Sequence, residues 1–202
     1  MPGRAHCERG TSTTRLRRER GGYGQDSTAT GGGNMAEIKT PRELFLHELG
    51  DILYVEERLE QEVLPKIMGE VRNDELRKGL EKHLEQTRQH VENVEEVFNK
   101  LGEQPQSEEC IGFQGLKKEH EKLVGESAEQ LIDLVAVGAV ARTEHYEVAA
   151  YENLITMARG LDERDVVELL EKNMKDDKET LREVERLAEH LSKEQMKELT
   201  EA

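Results

Sequence analysis

The sequence predicts an all-α protein: an antiparallel four-helix bundle with a long connection between its second and third helices and a disordered tail ahead of the first. Three observations carry this. Aromatic residues make up only 3% of the 202 residues, while Leu, Val, Glu and Lys abound, a composition of long helices rather than of sheets. From Thr40 onward apolar residues recur at spacings of three and four in four long blocks. A capping residue stands ahead of each block, and glycine or another polar capping residue follows it.

The first block opens on "TPRE", with Thr40 as N-cap, Pro41 at the first helical position and Glu43 reaching back to close a capping box. Helix A then follows Phe45, Leu49, Ile52, Leu53, Leu59, Val63 and Ile67 as far as Gly69, with a kink expected at Pro65. Helix B is expected from Asp74, capped by Asn73, to Leu101 before Gly102. Helix C is expected from Ala128, capped by Ser127, to Arg159, and helix D from Glu163, capped by Asp162, to Leu191. Ser192 with Gln195 would open a short tail helix. The stretch from Glu103 to Glu126 is long enough to cross the bundle and carries a short helical pattern at Gln114 to Val124.

Residues 1–34 hold eight of the 17 glycines and almost nothing apolar, so they cannot offset the entropy of becoming ordered. Met35 follows "GGGN", and a ribosome-binding site read through as codons would leave such a glycine run, so Met35 is the expected start. The bundle domain is therefore expected over residues 35–202. Six arginines against three acids give the tail a net +3, leaving −18 on the rest of a chain whose total is −15. An acidic body of this kind argues against nucleic acid as a partner. No apolar run approaches the roughly 18 residues a membrane span needs, and no apolar segment follows the early arginines, so a cytoplasmic protein away from the membrane is expected. Cys7 and Cys110, one in the tail and one in a loop, support neither a disulfide framework nor a cysteine metal site and read as free thiols.

Against this pattern, each helix carries a polar residue where the apolar stripe asks for a leucine. At about 100° per residue, Glu56 falls mid-stripe on helix A, Glu144 on helix C and Asp177 on helix D. Helix B centres on Thr87, with His83 and His90 slightly to one side. All of these lie near mid-helix, so an antiparallel bundle brings them to one level. Facing carboxylates in a core repel and are costly to desolvate; a cation between them resolves both costs. Oxygen-rich ligands with an occasional imidazole suit Fe or Mn. Glu147, one turn beyond Glu144, offers helix C a second carboxylate. His83 and His90 are about 10.5 Å apart along their helix, too far to hold one ion together, and His90 is the preferred ligand. Tyr146 and Tyr151 read as packing residues, with a hydrogen bond to a ligand as the functional alternative.

The segments "FLHELGDILYVEERL", "HLEQTRQHVENVEEVF" and "EHYEVAAYENL" resemble the YciE/YciF family of ferritin-like bacterial stress proteins, over roughly Thr40 to Leu191. The resemblance implies a ferritin-like fold and a dinuclear, ferroxidase-like metal centre. Glu56, Glu144, Glu147 and Asp177 fall on acidic positions of that pattern. Helix B departs from it, with Gln86 and Arg88 where relatives tend to show a Glu and sometimes a His, and helix D has Thr180 with no histidine after Asp177. Occupancy of both metal positions, and redox turnover with it, is therefore open. The expected partners are metal ions with oxygen or peroxide and, for the chain, a second copy in a homodimer. The competing class is a metal-free helical stress protein that works by association, its polar layer setting helix register and partner.

Overall fold

The computed structural model describes residues 37–201; the expectations for residues 1–34, with Cys7 and the start at Met35, lie outside them. Among the described residues every regular element is helical: α1 (Pro41–Arg58), a π-turn (Leu59–Val63), α2 (Leu64–Glu70), α3 (Asp74–Lys100), α4 (Ile111–Glu126), a 3-10 turn (Glu129–Leu131), α5 (Ile132–Gly160) and α6 (Arg164–Glu201). No helix among them is long and apolar enough to cross a membrane.

The expected capping box forms, Glu43 N–H donating to Thr40 Oγ1 at 3.1 Å and Thr40 N–H to Glu43 Oε2 at 2.8 Å. Pro65 has no N–H for a carbonyl four residues back. The chain meets it with the wide turn Leu59–Val63, closed by Leu64 N–H onto Leu59 O, so helix A becomes α1, a π-turn and α2. Asn73 caps α3 as expected, accepting from Leu76 N–H at 2.9 Å.

Four boundaries differ from the sequence reading. Asp162 is not the N-cap of the last helix; it adopts φ 62°, closing α5 in the left-handed conformation that aspartate tolerates. α6 does not stop at Leu191, because the pairs His190–Glu194 (3.2 Å) and Lys193–Glu189 (3.5 Å) carry the helical surface across Ser192. Ser127 ends α4 rather than capping α5, which begins only after the 3-10 turn. α4 is longer than the expected Gln114 to Val124 because Cys110 Sγ serves as its cap, accepting from Phe113 N–H at 3.3 Å.

Four long helices form the bundle, α1 continuing through the π-turn into α2. α1 packs beside α3 and α5, and α6 packs beside the same two, so α3 and α5 are diagonal. Pairings give the directions. Arg42 at the start of α1 reaches Glu163 beyond the end of α5 and Leu101 O beyond the end of α3. Lys82 reaches Glu179 and Glu183 on α6 while Asn93 reaches Asn173. Every adjacent pair is antiparallel and the α3–α5 diagonal is parallel, which requires the crossover predicted between them. α4 lies on that crossover and clamps the α1–α2 side through Lys117–Glu62, Lys66–Glu121 and Gln114–Tyr54.

The crossover is seated on Gly50. Glu108 N–H donates to Gly50 O at 3.0 Å, and a Cβ at Gly50 would lie 2.7 Å from Gln106 O and 2.8 Å from Glu108 Cγ. Alanine favours a helix over glycine by about 1 kcal/mol, yet Gly50→Ala is expected to destabilise the protein, since overpacking against backbone costs about 1–3 kcal/mol. Denaturant unfolding checks the sign; a higher midpoint would show that the crossover is not held there.

Candidate metal centre

The off-pattern residues meet at mid-height in the bundle. Glu56, Glu144, Glu147 and Asp177 are each 0% exposed, His83 and His90 2% and 1%, and Thr87 0%. Each reaches the interior because its helix turns the same face inward as apolar residues one or two turns away, so the fold that buries Leu53, Leu80, Tyr151 and Leu170 buries the acids with them. Glu85 stays exposed and pairs with Arg88 at 2.9 Å, as the helical phase requires.

The layer has two ends. At one, His83, Glu144 and Glu147 each offer an atom within 4.8 Å of the others, an arrangement able to hold a metal ion. His83 Nε2 lies 2.9 Å from Glu144 Oε1. At the other, His90 Nδ1 lies 3.2 Å from Glu56 Oε1 and 3.5 Å from Asp177 Oδ1, with Asp176 Oδ2 3.7 Å from Nε2. His90, preferred from sequence, faces Glu56 and Asp177; His83, set aside there, belongs to the compact group. Gln86 and Arg88 supply no atom to either end: Gln86 sits 3.5 Å from Thr180 Oγ1 and Arg88 turns to Glu85 and Glu60.

The hydrogen-bond accounting tests whether these residues suit a cation. Both oxygens of Glu144, Glu147 and Asp177, Glu56 Oε2, His83 Nδ1 and both ring nitrogens of His90 are buried without a hydrogen-bond partner. The short His–carboxylate contacts therefore lack hydrogen-bond alignment. Two ligands each about 2.1 Å from an ion and at right angles are themselves about 3 Å apart, so the spacing is that of neighbouring ligands. Native interiors rarely leave such groups unpaired, and four ionised carboxylates carry the charge that two divalent cations balance. An oxygen-rich set with two imidazoles suits a divalent metal ion.

Electrostatics agree. Burial first, then the charges of Glu56, Asp177 and Glu144, push the Glu147 pKa well above the carboxylate range. Burial, then Glu56, Glu144 and Asp176, does the same to Asp177. For His83, burial disfavours the charged ring most, but the charge and contact of Glu144, with Glu56 behind, together outweigh it and the pKa is raised. Glu147, Asp177 and His83 therefore each hold a proton more tightly here than they would in water.

A network invisible in the sequence pattern holds Glu56. Tyr151 Oη donates to Glu56 Oε1 at 2.5 Å and accepts from Asn173 Nδ2 at 2.9 Å, while Asn173 Oδ1 accepts from Asn93 Nδ2 at 2.6 Å. Tyr151 thus does more than pack. Tyr151→Phe leaves Asn173 and Glu56 each short of a partner and is expected to cost about 1–3 kcal/mol, read from denaturant midpoints; an unchanged midpoint would show that the network is not structural. Tyr146 faces away from the layer, with its hydroxyl 3.2 Å from Asp51 Oδ2 and 2.9 Å from Cys110 Sγ. Burial pushes the Cys110 thiol up, consistent with an unreactive free cysteine. Beside His83, Thr143 and Glu144 lies a cavity of about 20 Å³, walled by Leu59 and Val63 of the π-turn and by Phe113 of α4. It has room for one water.

Fold and layer together define a class: ferritin-like four-helix bundles with buried carboxylates and imidazoles facing one another at mid-height. Within it, the chain belongs to the family described as Domain of unknown function (DUF892), whose profile matches residues 40–197. It is 29% identical over 146 residues to Protein YciF of Escherichia coli (strain K12), an alignment covering 71% of this chain and 87% of that protein. The crystal structure of the E. coli stress protein YciF matches with TM-score 0.72 and 28% identity over 77% of this chain and 99% of that one. YcfI of Rhodopseudomonas palustris, provisionally called a structural protein, matches with TM-score 0.72 and 35% identity over 75% of this chain and 96% of that one. The chain is thus a member of this family and is similar to YciF, which in E. coli is described as a stress protein.

Proposed function

We propose that this protein is a ferritin-like di-metal stress protein of the ferroxidase or peroxide-handling type, with Fe or Mn held at the two ends of the polar layer. The observation that carries the proposal is the set of buried, unpartnered ligand atoms. Glu144, Glu147 and His83 would hold one ion, and Glu56, Asp177 and His90 the other. The bound metals would supply electron exchange with oxygen or peroxide. The chain's own part is to hold the ligands. Tyr151 orients Glu56, the leucine-rich shell excludes bulk water, and the one-water cavity beside Glu144 and His83 leaves room for a small oxygen species. In this reading the chain acts away from membrane and nucleic acid, in the cytoplasm, and pairs as a homodimer.

The test is oxidation of Fe(II). Full-length protein loaded anaerobically with Fe(II) and then exposed to oxygen or peroxide should oxidise the metal faster than buffer alone, and the rate should fall in Glu147→Gln. A rate equal to buffer, with metal bound, would leave a metal-binding protein without ferroxidase activity. The competing reading, a metal-free protein acting by association, has the name of the R. palustris relative in its favour; it predicts no binding at all.

A further inference from the structure

The two ends of the layer are not supported alike. At the Glu56 end, Tyr151 Oη donates to Glu56 Oε1 at 2.5 Å, and Asn173, itself held by Asn93, donates to the phenol oxygen. At the Glu144 end, both oxygens of Glu144 and of Glu147 and the Nδ1 of His83 are buried with no hydrogen-bond partner. The one-water cavity adjoins that end, beside Glu144 and His83.

The histidines differ in the same sense. His90 Nδ1 faces Glu56 and Asp177 at 3.2 and 3.5 Å, and Nε2, on the far side of the ring, lies 3.7 Å from Asp176 Oδ2. Asp176 has 26% of its side chain exposed. Neighbouring acids of α6 pair with cations at the surface, Glu171 with Arg159 and Glu179 with Lys82, whereas Asp176 turns to the buried ring. A histidine that binds a metal ordinarily donates its other ring N–H to a carboxylate or carbonyl, which fixes the tautomer and aims the free nitrogen at the ion. Closing the Asp176 contact to a hydrogen bond takes a shift of about 0.5–1 Å. His83 approaches Glu144 through Nε2 at 2.9 Å and has no such carboxylate behind Nδ1.

We infer that Asp176 is a positioning residue for His90 and makes the His90 end the tighter of two unequal metal sites, leaving the ion at the His83 end exchangeable. The inference rests on the reading of the layer as a two-ion site. It divides the work between the ends: one ion stays with the protein, and the other comes and goes where no neighbour holds the ligands and a water has room. The closeness of His83, Glu144 and Glu147 to one another does not reverse the order. Ligands that nothing orients must be ordered at the moment of binding, which costs affinity, while those of the His90 end are held from behind in advance.

The experiment is calorimetric titration of metal-free, full-length protein with Mn(II), and separately with Fe(II) in the absence of oxygen, in wild type, Asp176→Ala, Asp176→Glu and Glu85→Gln. Wild type should bind in two steps, the second at least about tenfold weaker, a gap of about 1.4 kcal/mol. Asp176→Ala should weaken the first step by about 10–100-fold and leave the second step and the metal-free melting temperature as in wild type. Asp176→Glu should restore most of the affinity. Glu85→Gln, which removes one charge from an exposed position of α3, should change neither step. In ¹⁵N-histidine spectra of protein loaded with diamagnetic Zn(II), His90 should show a slowly exchanging Nε2 proton that is lost in Asp176→Ala. Two ions bound equally by wild type, a first step unchanged in Asp176→Ala, or both steps weakened together would each overturn the inference and leave the two-ion layer standing. No uptake of either metal by wild type would overturn both.

Discussion

Glu144→Leu is expected to abolish metal binding at the His83 end while leaving the metal-free protein as stable as wild type or more so. Both Glu144 oxygens are buried without a hydrogen bond, and Glu144 shares its end of the layer with Glu147 and His83. Leucine is close in volume and suits the neighbouring Val140 and Ala136, both buried. Replacing a buried, poorly compensated charge with an apolar group is neutral or stabilising by about 1–4 kcal/mol, whereas a ligand lost from a metal site is not replaced. The paired measurement is metal content and metal-free melting temperature in wild type, Glu144→Leu and Asp177→Leu, with exposed Glu85→Leu as control. Metal retained in both core variants and lost in the control would mean that the ligand layer is misplaced.

The second large effect is a pH response that reverses with metal. Glu147 and Asp177 have folded-state pKa values well above their ordinary ones, and His83 is raised too. Each therefore binds its proton more tightly in the folded chain than in the unfolded one. Their contribution to stability is fully present below the unfolded values, about 3.9 to 4.3 for the acids and 6.5 for His83, and is lost as pH rises through the folded values. Metal-free protein should melt progressively lower as pH rises above about 4, where the acids give up their protons in the unfolded chain. Metal binding must displace those same protons, so its stabilisation grows over the same range. Melting curves with and without Fe(II) or Mn(II) should diverge as pH rises. Parallel curves would show that the protons and the metal do not compete for the same atoms.

Much of this was legible in the sequence because helices advertise themselves through period and caps. Thr40 with Glu43 and Asn73 with Leu76 form as their spacing indicates, and a carboxylate in a leucine stripe is conspicuous at any phase. The failures have physical causes. Aspartate serves equally as an N-cap and as a left-handed closing residue, so Asp162 could not be assigned from its type. His83 and His90 share one side of α3, and which acid each meets depends on the heights of α1, α5 and α6. The asparagines that orient Tyr151 sit at polar positions indistinguishable from solvated ones until Asn93 and Asn173 are seen 2.6 Å apart.

The central claim is that the buried layer exists to hold cations, and metal stoichiometry tests it most directly. Full-length protein expressed with Fe or Mn supplied, dialysed and analysed for elements, should retain between about one and two equivalents of metal, as four buried carboxylates and two imidazoles at two ends of one layer require. Less than about a tenth of an equivalent, with no uptake on anaerobic reconstitution, would contradict it and leave the layer as a device for helix register alone.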